Sequence, residues 1–132
     1  MIGVDTNLLL RLLINDDQAQ HDAAKSFFAL RSAVDPAYIS IVVVSELAWL
    51  LTKRYGFSKD IAADLILALL QSPDLIIEKP AIVEEAAHLS RQPKIGFTDA
   101  LISQLALSSG CHATMTFDRD AAKRIPGMEL LA

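Results

Sequence analysis

Apolar residues along this chain fall into two patterns. Five short stretches, IGVD at 2–5, AYIS at 37–40, LIIE at 75–78, HATMT at 112–116 and MELL at 128–131, read as short strands, the first of them buried. Between them, apolar positions recur at spacings of three and four residues, which predicts helices. These run over Asn7–Leu13, from a cap at Asp17 to Leu30, and from Ile41 to Tyr55 with Gly56 as the stop. Ser58 caps a fourth helix over Lys59–Gln71, with Ile61, Leu65, Ala68 and Leu69 on one face and Asp60, Asp64 and Gln71 on another. Pro80 suits the first turn of a helix lasting to Ser90. Phe97–Ser109 forms another, closed by Gly110, and DRDAAKRI at 118–125 a last short one. NDD, SAVDP, SPD and RQPKIG are the turns and loops between them. Strands alternating with helices predict a single α/β domain over residues 1–132, a sandwich around a mostly parallel sheet. Ligands of such sheets gather at the carboxyl ends of the strands.

Four acids interrupt these patterns. Asp5 ends the first strand and runs into Leu8–Leu10. Glu46 shares a helical stripe with Val43, Leu47 and Leu50, which predicts that it faces the core. Asp99 has Ile102, Ser103 and Ala106 as same-face neighbours, and Asp118 follows the strand HATMT. Each has a bland explanation. Asp5, Asp99 (or Thr98) and Asp118 suit helix N-caps, and Glu46 suits an internal Arg or Lys partner. Four carboxylates in one crevice would repel, and the usual resolution is a divalent cation. An all-carboxylate, oxygen-rich donor set fits the hard ions Mg²⁺ and Mn²⁺. The remaining acids, including Asp16, Asp17, Asp22, Asp60 and Asp64, sit among polar residues or at caps and read as solvated surface.

Charge and composition enter through these acids. The net charge is −4, from 12 basic and 16 acidic residues, which is no electrostatic footprint for nucleic acid. Without the four acids, however, 12 acids stand against 12 bases, so the excess has the size of one site. A 52% hydrophobic content supports a real core. The longest apolar segment, ISIVVVSELAWLL, is broken by Ser45 and Glu46 and falls short of the ~20 residues a bilayer crossing needs. With Asp5 where the apolar part of an export signal would lie, and Cys111 alone and so without an internal disulfide, a reducing cytoplasmic setting is expected.

Four fragments, VDTNLLLRLL at 4–13, SELAWLL at 45–51, FTDALISQLALSSG at 97–110 and TFDRD at 116–120, span nearly the whole chain. In them the chain resembles the PIN domains, and more closely the VapC-like ribonuclease toxins of prokaryotic toxin–antitoxin pairs. The resemblance implies a PIN-like α/β/α sandwich and an endoribonuclease dependent on Mg²⁺ or Mn²⁺. It places Asp5, Glu46, Asp99 and Asp118 on the family's four acidic positions, with Asp5, Asp99 and Asp118 as metal ligands and Asp118 preferred to Asp120 because it lies nearer the strand end. Thr116 and Asn7 match polar positions that orient the carboxylates or water, although turn chemistry and capping explain both nearly as well. A homodimer and an antitoxin whose C-terminal segment covers the acidic groove are the implied protein partners, and RNA the implied substrate. An Arg or Lys of that antitoxin would enter the site, and Phe27–Leu30 or Ile61–Leu70 would offer apolar contact surface.

No RNA-reading surface stands out. Arg11, Lys53, Arg54 and Lys94 are candidates for phosphate contacts, each weighed against ordinary solvation. His21, His88 and His112 lack ligand spacing, and Trp49 and the Phe residues read as packing. Rival readings are a non-catalytic PIN-like module that binds metal or protein, a purely structural domain whose acids are caps, and a dehalogenase-like phosphohydrolase. The last needs a second acid two residues after Asp5, where Asn7 stands.

Overall fold

The chain opens on β1 (Ile2–Gly3), α1 (Thr6–Leu13), α2 (Gln18–Ala29) and β2 (Ala37–Ile39) in a computed structural model describing all 132 residues. There follow α3 (Ile41–Trp49), which continues into a π-helical turn over Leu50–Arg54, then α4 (Lys59–Leu70), β3 (Leu75–Ile77) and α5 (Pro80–Leu89). The chain ends with α6 (Phe97–Ser108), β4 (Thr114–Thr116), α7 (Arg119–Arg124) and β5 (Met128–Leu130). Side-chain caps start the helices where short polar residues precede them: Asp5, Asp17, Ser40, Ser58 and Asp118 each accept a first-turn amide. Pro80 occupies the first turn of α5.

All strand pairs are parallel, as short strands separated by helices require. The hydrogen-bonded ladder is in two pieces, β1-β2-β3 and β4-β5. In the first, Gly3 pairs with Tyr38 and Tyr38 with Ile76. In the second, Thr114 pairs with Met128 and Thr116 with Leu130. Helices flank this parallel β layer, giving the expected α/β fold. One core of Leu, Ile, Val and Ala joins all of it, from Leu9 and Leu10 through Ile39, Leu47, Leu51 and Ile66 to Val83 and Ile95. No helix is long and apolar enough to cross a membrane.

Three expectations about faces are corrected. β1 is two residues long and exposed at Ile2; burial begins at Val4. On α4 the buried positions are Ala62, Ala63, Ile66 and Leu69, whereas Ile61 and Ala68 are exposed, so Leu69 alone of the expected face is buried. The small alanines admit the neighbouring helices closely, and that decides which side packs. On α3 the buried stripe is Val44, Leu47, Ala48 and, one turn on, Leu51. It is rotated from the expected one, and Glu46 lies on the solvent side.

Two contacts fix α6. Ser103 Oγ, fully buried, donates to the Pro126 carbonyl at 2.6 Å. Beside it, Gly127 has φ +88°, and a Cβ there would lie 2.8 Å from Leu107 Cδ1. Only glycine satisfies both the backbone and the space. At its other end, the loop before α6 is held by the Lys59 ammonium, which donates to the carbonyls of Gln92 (2.7 Å) and Ile95 (3.1 Å). Arg91, which pairs with Asp60 and Asp64 of α4, pins the start of the same loop.

Candidate active site

Each of the four acids sits at or near the beginning of a helix. Asp5 follows β1 and caps α1, its Oδ1 accepting the Leu8 amide at 2.9 Å. Asp118 follows β4 and caps α7, its Oδ1 accepting the Ala121 amide at 3.0 Å. Asp99 is in the first turn of α6, with Oδ2 3.8 Å from where a Cβ on Gly96 would stand. Glu46 is in the second turn of α3. The carrying elements form a connected series: α1 packs on α3, α3 on α6, and α6 on β4, the strand before Asp118. One hydrogen bond joins the middle of it, between the hydroxyls of Ser45 and Thr98 at 3.0 Å. Each of these residues immediately precedes a site acid, Glu46 and Asp99.

All four acids are exposed, which for Asp5, Glu46 and Asp99 corrects the expectation of apolar surroundings. The physical reason is that the strand ends and helix starts carrying Asp5, Asp99 and Asp118, and the solvent side of α3 carrying Glu46, lie at the rim of the core, where water solvates an ionised carboxylate. None of the four is held by a cation, a state they share with Asp17, Asp22, Asp74, Glu78, Glu85 and Glu129. Seven ion pairs engage Asp16, Asp35, Asp60, Asp64, Glu84 and Asp120, and none engages Asp5, Glu46, Asp99 or Asp118. The caps use one oxygen each and leave the other without a protein donor. Asp120 faces Lys94 at 3.8 Å.

In donor chemistry, the uncommitted carboxylate oxygens fit a hard divalent ion. As they stand, no three metal-ligating side chains are gathered closely enough to grip one. Like charges at short range repel, so such a set gathers only around a cation.

The PIN domain family model matches residues 2–127. The chain belongs to the PIN domain family. A search of curated proteins finds no match. PIN domains are generally nucleases, and the nucleases among them generally use divalent metals. The four fragments that carry the sequence resemblance all lie within the matched PIN region.

Other expected roles meet the structure unevenly. Thr116 Oγ1 accepts the Asp118 amide at 3.0 Å, so its turn chemistry holds the acid's backbone in place. Asn7 is exposed on the first turn of α1, and its side chain makes no hydrogen bond within the protein. Arg11 is spent elsewhere. Its guanidinium meets Asp16 at 2.5 Å, Gln20 at 2.7 Å and the Tyr55 hydroxyl at 3.5 Å. Tyr55 and then Asp16 raise the Arg11 pKa above its usual value. Lys94 is turned to Asp120, while Lys53 and Arg54 enter no ion pair.

Trp49, read as packing, is 59% exposed. It lines two depressions, one running to Asp99 and one to Glu46. Its spacing from Val42 and Glu46 is the one signal that marks this solvent side: α3 is apolar nearly all round, so periodicity alone leaves its rotation open. The π-turn that follows, with Thr52 and Lys53 beside Trp49, has no local sequence signal.

Proposed function

We propose that this PIN domain is a metal-dependent endoribonuclease, the toxin of a toxin–antitoxin pair. One observation carries the reading: in a PIN domain, Asp5, Glu46, Asp99 and Asp118 stand on one connected series of elements, expose oxygen donors and are tied up in no ion pair. Asp5 and Asp99 would hold the ion directly or through water, and Glu46 and Asp118 would complete the set or position water. That Asp120 already has Lys94 as a partner supports Asp118 as the fourth member. Thr116 acts as a positioning residue by holding the Asp118 backbone, and Asn7 offers an amide beside Asp5. When bound, a divalent ion supplies a nucleophilic water near neutral pH and offsets charge growing on the phosphoryl oxygens. The water oxygen bonds to phosphorus, the bond from phosphorus to the 3′-oxygen breaks, and a proton passes to that oxygen. The products are a 5′-phosphate and a 3′-hydroxyl.

The reading brings two protein partners, an antitoxin and a second copy of the chain. The depression over α3 and α6 supports the antitoxin. Ile41, Val42, Leu101, Ile102 and Leu105 line it, and Glu46 is its one charged residue. An amphipathic segment carrying Arg or Lys would complement it. Sedimentation of the protein alone tests the dimer.

The deciding experiment incubates the purified protein with total and defined structured RNAs in Mg²⁺, Mn²⁺ or EDTA, beside Asp5→Asn and Asp99→Asn. Discrete cuts that need the metal and vanish in both variants are expected. Stabilisation by metal in the wild type alone, with no RNA cut, would instead mark a binding module. Neither effect would leave the acids as caps and surface.

A further inference from the structure

Beside Asp99 lies a cleft of about 230 Å³ between the end of α3, α4 and the start of α6. Its apolar lining is narrow in side chain and wide in space: Ala48, Ala62 and Ala63 leave room that Ile66 and Phe97 bound. Trp49, the only tryptophan of the chain, stands at its edge with more than half its surface exposed. An aromatic ring left open beside a concave apolar surface is suited to a flat partner.

The polar lining points to the partner's class. Lys53 is exposed and enters no ion pair, and the Lys59 ammonium lines the cleft while holding the loop before α6. The charged residues of the lining are therefore two lysines against Asp99, a positive balance in a molecule of net charge −4. The Thr52 hydroxyl donates to the Ala48 carbonyl at 3.0 Å, which leaves its oxygen able to accept. An aromatic wall, an apolar floor, hydroxyls and an uncommitted ammonium are what an unstacked base and its phosphate require. The neighbouring depression has the opposite character, with Glu46 as its one charge.

We propose that this cleft binds one nucleobase of single-stranded RNA, stacked on Trp49 with its phosphate alongside Lys53. It thereby sets which base lies next to the bond cut at Asp99. The proposal rests on the nuclease reading, and two readouts separate the failures of the two.

The first readout is Trp49 fluorescence, titrated with short oligoribonucleotides of each base in EDTA. Saturable quenching with one base preferred is expected. Lys53→Ala should weaken binding about ten-fold and lower its salt dependence by about one phosphate contact. The second readout is the base preference around each cut in a randomised RNA. Trp49→Leu should flatten the preference at one position, and Trp49→Phe should retain it; loss of packing alone would slow all cuts alike. Should Trp49→Leu fail to fold, Lys53→Ala and Trp49→Phe carry the test. No quenching by any RNA, or quenching only by a basic apolar peptide, with cut-site preference unchanged in Trp49→Leu, overturns the base site and leaves the nuclease. Base-selective quenching with no RNA cut under any metal supports the site and overturns the nuclease.

Discussion

Under the proposed function, Asp5 and Asp118 each have two jobs for two oxygens. One oxygen caps a helix, and the other is left for the site. The two jobs separate by substitution. Asp5→Asn keeps an oxygen for the Leu8 amide, so urea unfolding should match the wild type within about 0.5 kcal/mol. Asp5→Ala should cost about 1 kcal/mol. Both should abolish RNA cleavage. A second residue-scale prediction concerns acid. The Tyr55 hydroxyl, with Arg11, holds the Asp16 carboxyl below the usual carboxylate range. A lowered folded-state pKa contributes stability above the unfolded value, and that contribution is lost as pH falls through the folded one. Tyr55→Phe should therefore be less stable than the wild type at neutral pH, and the gap should narrow below about pH 4. Chemical unfolding across that range, with NMR titration of Asp16, checks both halves. These residue-scale caps were largely legible in the sequence, because an Asp or Ser before an apolar-periodic run has a local reason to be there. The partnering of Arg11 with Tyr55 was not, since 44 residues separate the two.

At the scale of elements, helix and strand positions followed from spacing and punctuation, and rotations did not. On α3, Val42, Val43 and Val44 are equally apolar, and the packing of α1, α4 and α6 decides that Val44 is buried and Glu46 is not. The same ambiguity hid the cleft, whose walls come from three helices. α6 carries Asp99 and is held at both ends, so its anchor offers a test. Gly127→Ala should destabilise the fold by about 1–3 kcal/mol through crowding against Leu107 and strain at φ +88°. Thermal unfolding measures the loss. A Leu107→Ala partner change should recover part of it by removing the atom met at 2.8 Å.

For the whole molecule, the proposed metal site predicts linkage of stability to a divalent ion. An ion that binds only the folded state raises its stability. At an Mg²⁺ or Mn²⁺ concentration 100 times the dissociation constant, the gain is about 2.7 kcal/mol. A rise in unfolding temperature that EDTA reverses, and that is absent in Asp99→Asn, is expected by calorimetry. The amino-acid sequence by itself determined the alternation of strands and helices, the caps, the identity of the acids and the family, because each depends on neighbours in the chain or on motifs a few residues long. Only the tertiary structure decided that these acids face water, that none of them is held by a cation, and that Trp49 opens onto a cleft beside Asp99. Those properties depend on which helix face is covered by distant elements, as Ser45 and Thr98 meet across 53 residues, and local spacing carries no record of that.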